Sequence, residues 1–173
     1  QKEGEFPDLE MEFRFPVTLI TRQSVYVLDE DVEIITVERN EKMIEKAKEN
    51  IKLSGFEKNI TILEGDAEEI LKEVEGPFDM IFMDAAKGQY KLFYDMIIDK
   101  LRVDGLLISD NILYKGMVAH DDFVIRRKKT IVKRMRNYLD YICNCDYLST
   151  SLIPIGDGVA LSYKNNKRGD INE

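Results

Sequence analysis

The chain has 173 residues, 44% of them apolar and 34% charged, with 33 acidic against 25 basic side chains and a net charge of −8. This is one domain's worth of ordinary globular protein, and it excludes a fibrous or disordered chain and a surface uniformly coated with positive charge. Two cysteines, Cys143 and Cys145, are too few and too close for a disulfide framework.

Residues 1–30 fit no regular pattern: Pro7 and Pro16 interrupt short, scattered apolar groups. No strand is expected there. From residue 32 onward strands and helices alternate. Val32–Val37 reads as a strand, and residues 40–54 as a helix with Ile44, Ala47 and Ile51 on one face and Gly55 as its cap. Ile60–Leu63 is the next strand, followed by a short acidic helix from Asp66 to Val74. Phe78–Met83 is a strand, Tyr90–Leu101 a helix and Leu106–Ser109 a strand. A long helix is expected over 123–142, with Ile125, Ile131, Met135 and Leu139 along one side. Residues 151–155 and 159–163 then form an antiparallel hairpin across Gly156-Asp157-Gly158, before a polar tail from 165 to 173. The alternation predicts an α/β fold, a Rossmann-like, doubly wound, mostly parallel sheet ending in an antiparallel hairpin. No apolar run nears the roughly 20 residues of a membrane helix, and residues 1–5 have no signal-peptide character. A reducing, cytoplasmic setting is therefore expected.

Ligands of open α/β sheets sit beyond the carboxyl ends of the strands. Four predicted strands end at a carboxylate: Glu38, Asp66, Asp84 and Asp110. Singly, Glu38 reads as a solvated charge and Asp66 as a helix cap. Together they repel one another and call for a cation or a ligand rich in hydroxyl and amine donors. Asp84, Asp110 and Asn111 offer three hard oxygens suited to octahedral Mg2+. Lys87, three residues past Asp84, falls on the same side of the turn. Spacing alone leaves two readings open, a metal site with Lys87 as base or a plain Lys87–Asp84 ion pair. Seven basic residues and no acidic one lie between Val124 and Asn137, including Arg126, Arg127, Lys128 and Lys129. The run reads either as a solvated helix face or as a phosphate-contacting surface. Cys143 and Cys145 read as structural, His120 as a loop residue, and Asp157 as a turn residue that could face the site.

The stretches Val37-Glu38-Arg39-Asn40, Glu64-Gly65-Asp66-Ala67, Asp84-Ala85-Ala86-Lys87-Gly88-Gln89-Tyr90, Ser109-Asp110-Asn111 and Pro154-Ile155-Gly156-Asp157-Gly158 occur in order. Over residues 31–164 the chain resembles the cation-dependent O-methyltransferases, the group that includes catechol and caffeoyl-coenzyme A methyltransferases. The likeness is greatest to the bacterial branch that methylates 5-hydroxyuridine in tRNA. The resemblance implies a class I methyltransferase domain over 31–164 using S-adenosylmethionine and Mg2+. Glu38 would then hold the ribose hydroxyls, Asp66 and Ala67 would flank the adenine, and Asp84 would serve both the metal and the methionine end. Asp110 and Asn111 would complete the metal shell, and Lys87 matches the family's catalytic lysine. The resemblance further implies a homodimer, with the anticodon region of tRNA as its expected partner; on that reading the basic run Arg126–Lys129 is expected to grip the tRNA phosphates, and no membrane partner is expected. A small catechol-like substrate and a non-catalytic RNA-binding relative are the alternatives.

One departure stands out. The family's glycine-rich cofactor loop comes after a strand that precedes the one ending in Glu38, yet residues 17–28 contain no glycine. Residues 1–30 are therefore expected to be an incomplete region, with Ser24-Val25-Tyr26 lying just past the missing loop. The other possibility is a degenerate chain that binds no cofactor.

Overall fold

The computed structural model describes residues 17–21 and 32–166. The expectations for 1–16, for Ser24-Val25-Tyr26 and for the tail from 167 lie outside them. The described elements are β1 (Val17–Thr21), β2 (Glu33–Glu38), α1 (Glu41–Ser54), β3 (Ile60–Glu64), α2 (Ala67–Glu73), β4 (Phe78–Met83), α3 (Tyr90–Ile97), β5 (Leu101–Ser109), α4 (Lys129–Cys143), β6 (Leu148–Ile153) and β7 (Val159–Lys164). The strands form one mixed sheet in the order β3-β2-β1-β4-β5-β7-β6. β2 pairs parallel with β3 and β4 with β5, whereas β1 runs antiparallel to both β2 and β4. β7 runs antiparallel to β5 and β6, so β6 and β7 form the expected C-terminal hairpin.

Local signals account for several elements. The Asn40 side chain accepts from the Lys42 and Met43 amides at the start of α1, and Gly55 closes it at φ 77°. Ile44, Ala47 and Ile51 are its buried residues, the face that the spacing predicts. Asp66 caps α2 through the Glu68 amide. The core lies where β4 and β5, through Ile81, Met83 and Leu107, meet Tyr94 and Ile97 of α3 and Met135, Tyr138 and Ile142 of α4.

Three boundaries are corrected. A strand does occur in residues 1–30: Val17–Thr21 fills the centre of the sheet, paired on both sides. Its place depends on partners far along the chain, which no local pattern reveals. α3 stops at Ile97, and after a 3-10 turn Leu101 opens β5, a strand longer than expected. α4 begins at Lys129, preceded by 3-10 turns at Asp121–Phe123 and Arg126–Lys128. Ile125 is consequently 51% exposed and does not share the buried face of Met135 and Leu139.

Candidate functional site

The carboxyl ends of β2 and β3 build one wall of a cleft. Glu38 ends β2 buried, and its Oε1 accepts the Arg39 and Asn40 amides, each at 2.8 Å. The next strand end is tied to it by the Gly65 amide, which donates to the Glu38 carbonyl at 2.9 Å. Gly65 adopts φ 146°, and a methyl group there would stand 3.3 Å from Ile70 Cδ1. Asp66 comes next as the cap of α2 and also receives Arg39 Nη1 on Oδ2 at 3.1 Å. The cleft, about 270 Å³, is lined by Glu38, Asp66, Ala67 and Asp84, joined by Arg39, Gln89 and Phe93. Gln89 Nε2 donates to Glu68 Oε1 at 2.6 Å and so ties the start of α3 to α2. Four of the residues singled out in the sequence thus line one cavity. Arg39, Gln89 and Phe93 are not among the candidates that the sequence marks. Adjacency to Glu38 and the i, i+4 spacing of Gln89 and Phe93 at the start of α3 were the available signals.

The ends of β4 and β5 carry a second, connected cluster. The Asp110 amide donates to the Met83 carbonyl at 3.0 Å, extending the β4–β5 ladder by one residue and setting Asp110 beside Asp84. Asp84 Oδ1 receives Lys87 Nζ at 3.1 Å and Asn111 Nδ2 at 3.4 Å. Lys87 Nζ also donates to Tyr90 Oη at 3.2 Å, and Tyr90 Oη donates in turn to the Asp110 carbonyl. The Asp110 carboxylate folds back on the Asn111 amide at 2.6 Å. One residue earlier, Ser109 Oγ and Tyr138 Oη are hydrogen-bonded at 2.6 Å in full burial. Burial first, and then the charges of Asp84, Asp110 and Asp157, hold the Tyr90 hydroxyl well above its ordinary range, so it stays protonated. Repulsion among the strand-end carboxylates is relieved within the chain, by backbone amides at Glu38, by Arg39 at Asp66 and by Lys87 at Asp84.

The donor set at these strand ends is two carboxylates and an amide, and the amide, turned half-way about its last bond, presents oxygen to the same point. Among the described residues no group of three or more His, Cys, Asp or Glu is arranged to hold a metal ion. A cation here would rely on Asn111 as its third protein ligand and on water or substrate oxygens beyond that, which suits a small hard dication.

The segment leaving this cluster is unusual in backbone. Asn111, Tyr114 and Lys115 all have positive φ (54°, 49° and 57°), as does Gly116 at 77°. Non-glycine residues held in this region mark a conformation imposed by the surroundings. The imposing element is the β6–β7 turn: the carbonyls of Asp157 and Gly158 accept the Leu113 and Ile112 amides, and Asp157 Oδ1 accepts the Lys115 amide at 2.5 Å. Gly158, at φ 81°, is pressed so close that a methyl group there would collide with the Leu113 side chain. Asp157 is thus a turn residue whose side chain clamps the segment beyond the site.

The basic run divides. Arg126 and Arg127 sit on the 3-10 turn and are exposed, as is Lys129 at the first turn of α4. Lys128 lies with Nζ 5.8 Å from the Tyr114 ring centre. Arg136 is engaged internally, donating to the Val118 and Met117 carbonyls and to Asp121 Oδ1. Arg134 turns toward the lysine-bearing turn, where a methyl group on Gly88 would lie 3.5 Å from its Nη1. None of Arg126–Lys129 lines the cleft. His120 is exposed and accepts the Asp122 amide. Cys143 is exposed, Cys145 is half-buried, and both are free thiols.

A central sheet of this strand order, with acidic strand ends around one cleft, has the fold of the class I methyltransferases, and solved members superpose on it. Within that class the chain belongs to the O-methyltransferase family, which it matches over residues 18–165. It is 28% identical over 148 residues to a caffeoyl-CoA O-methyltransferase of Medicago sativa, covering 78% of this chain and 58% of that protein. A Staphylococcus aureus protein, provisionally assigned as a caffeoyl-CoA O-methyltransferase, shares 37% identity at a TM-score of 0.73, over 79% of this chain and 66% of its own. A Podospora anserina methyltransferase solved with SAH bound shares 27% at 0.68, over 78% and 61%. The chain therefore spans about 60% of the length of the curated relatives it matches.

The orientation of β1 bears on where a cofactor loop could start. Val17 pairs with Val37 and Met83 at the cleft edge, while Thr21 pairs with Glu33 at the opposite edge. Both ends of the connection from Thr21 to Val32 therefore lie away from the cleft, and the strand next to β2 does not lead into a loop starting at the site.

Proposed function

We propose that the protein is a Mg2+-dependent O-methyltransferase that moves the methyl group of S-adenosylmethionine to the hydroxyl of 5-hydroxyuridine in tRNA, giving 5-methoxyuridine. The observation that carries this reading is the joining of a nucleoside-sized cleft, lined by Glu38, Asp66, Ala67 and Asp84, to the Asp84–Asp110–Asn111 cluster at the neighbouring strand ends. Glu38, its Oε1 fixed by two backbone amides, keeps its other oxygen for the ribose hydroxyls. Asp66 and Ala67 form the wall for the adenine, and Asp84 stands between the two halves of the site. A divalent cation held by Asp84, Asp110 and Asn111 would lower the pKa of a substrate hydroxyl and fix its place. A second substrate oxygen next to the first would complete such a chelate, and 5-hydroxyuridine would supply it through its ring carbonyl. Lys87, within reach of Asp84 and Tyr90, would take the proton of that hydroxyl as a neutral amine, the state a dication at Asp84 favours by disfavouring the ammonium beside it. Holding the nucleophile in line with the methyl carbon accounts for much of the rate.

The tRNA part of the reading is supported by the exposed Arg126, Arg127 and Lys129 and by Arg134 beside the lysine turn. A second reading, a small catechol-like acceptor, is favoured by the names of the relatives. The test is mass spectrometry of nucleosides after incubating hypomodified tRNA with the protein, labelled S-adenosylmethionine and Mg2+, with an EDTA control. Labelled 5-methoxyuridine that disappears with EDTA supports the proposal. Transfer only to a catechol selects the second reading, and RNA binding without transfer to either makes the chain a non-catalytic relative.

A further inference from the structure

We propose that Tyr90 is the positioning residue of this site, its hydroxyl holding the Lys87 amine and the Asp110 strand end in one fixed arrangement. The proposal rests on the methyltransferase reading above and assigns a role to a residue that neither lines the cleft nor supplies a metal ligand. Tyr90 is 1% exposed and is the first residue of α3, so its ring is anchored by packing rather than by solvent-facing contacts. Its ring meets that of Tyr138 at 5.4 Å between centres. From that fixed point the hydroxyl donates to the Asp110 carbonyl and accepts Lys87 Nζ at 3.2 Å. The contacts close a circuit: Lys87 reaches Asp84 Oδ1 at 3.1 Å, Asn111 reaches the same oxygen at 3.4 Å, and Asn111 is bonded to Asp110.

The circuit has a directional consequence. Lys87 divides its hydrogen bonds between the Tyr90 hydroxyl and the Asp84 carboxylate, and Asp84 is also the carboxylate a cation needs. Remove the hydroxyl and the amine retains Asp84 alone, so that ammonium and cation compete for one carboxylate. The Asp110 carbonyl loses its donor at the same time, freeing the strand end that carries the second ligand. Groups that orient metal ligands from behind typically change metal affinity or activity by about 10–100-fold when removed.

The experiment uses the intact protein with Mn2+ as the probe, binding read by electron paramagnetic resonance, alongside kcat and KM for S-adenosylmethionine. Tyr90→Phe is expected to weaken Mn2+ binding and lower kcat, each about 10–100-fold, with KM for S-adenosylmethionine unchanged. Adding Lys87→Ala to Tyr90→Phe is expected to restore Mn2+ binding while transfer stays lost. Tyr138→Phe, which removes a buried hydroxyl bonded to Ser109 and keeps the ring that packs on Tyr90, is the control and is expected to bind Mn2+ as the unaltered protein does. Tyr90→Phe behaving as the unaltered protein overturns the proposal, and so do equal losses in Tyr90→Phe and Tyr138→Phe. If the unaltered protein binds Mn2+ but transfers no methyl group, the transferase reading fails and the Mn2+ comparison alone judges Tyr90. If it binds no Mn2+, both fail together.

Discussion

Arg39 Nη1 stands 3.1 Å from Asp66 Oδ2, a pair formed by two residues that both line the cleft, one just past β2 and one at the cap of α2. Beside it, Glu38 is buried and held by backbone amides instead of a cation. The two acidic residues of the same wall therefore differ in kind, one an exposed ion pair and the other a buried acceptor.

That difference sets the first prediction. Exposed ion pairs contribute only about 0.2–1 kcal/mol, so Arg39→Ala is expected to change SAH affinity by a few-fold at most. Glu38→Ala removes a charged hydrogen-bond acceptor worth about 1.5–3 kcal/mol, which is about ten- to hundredfold in affinity. Calorimetric titration with SAH measures both.

Asp110→Ala takes away one of two carboxylates from the strand-end cluster. Methyl transfer is expected to fall by at least about 100-fold, in line with the 10–100-fold cost of orienting groups that lie farther from a metal. EDTA is expected to abolish transfer by the unaltered protein and to have little left to remove in the variant. SAH binding in the cleft, which Asp110 does not line, is expected to persist.

Replacing Arg126, Arg127, Lys128 and Lys129 together by alanine is expected to raise KM for tRNA and flatten its dependence on salt, because fewer counterions are released on binding. Activity on a small acceptor is expected to stay as it was, since none of the four lines the cleft. Unchanged salt dependence would move the RNA contact elsewhere on the surface.

The elements legible in the sequence are those whose causes are local. Asn40, Gly55 and the Ile44–Ala47–Ile51 spacing lie within one helix and state its start, end and inner face. The acidic strand ends were legible for the same reason, a β-branched or apolar run broken by a carboxylate. β1 was not, because Val17–Thr21 owes its place to Val37 and Met83, and a five-residue run beside Pro16 says nothing of them. The start of α4 is not legible because its apolar spacing continues through Ile125, while no capping side chain marks the true start at Lys129. Arg39 and Tyr90 do not stand out as site residues in the sequence because their roles lie in contacts across strand ends, Arg39 to Asp66 and Tyr90 to Asp110.

The buried tyrosines make stability sensitive to alkali. Burial, before any other cause, raises the Tyr90, Tyr94 and Tyr138 hydroxyls above their ordinary 10.0. At Tyr138 it outweighs the Ser109 hydrogen bond, which pulls the other way. A raised hydroxyl binds its proton more tightly in the folded chain than in the unfolded one. Its contribution is thus intact below pH 10 and is lost as pH climbs from there toward the folded-state value. Urea midpoints between pH 8.5 and 11 are expected to fall less steeply for Tyr138→Phe than for the unaltered protein, and equal slopes would refute this origin.

The left-handed backbone at Asn111, Tyr114, Lys115 and Gly116, in a segment clamped by Asp157 and Gly158, also limits which side chains the segment tolerates. A library randomised at Tyr114 and Lys115 is filtered by backbone geometry before chemistry has any say: valine, isoleucine and threonine are penalised at positive φ, while glycine, asparagine and aspartate pass. Survivors of such a library are enriched for glycine, asparagine and aspartate whatever property is selected. Diversity in side-chain size is better sought at neighbouring positions with ordinary backbone, such as Leu113 and Phe123.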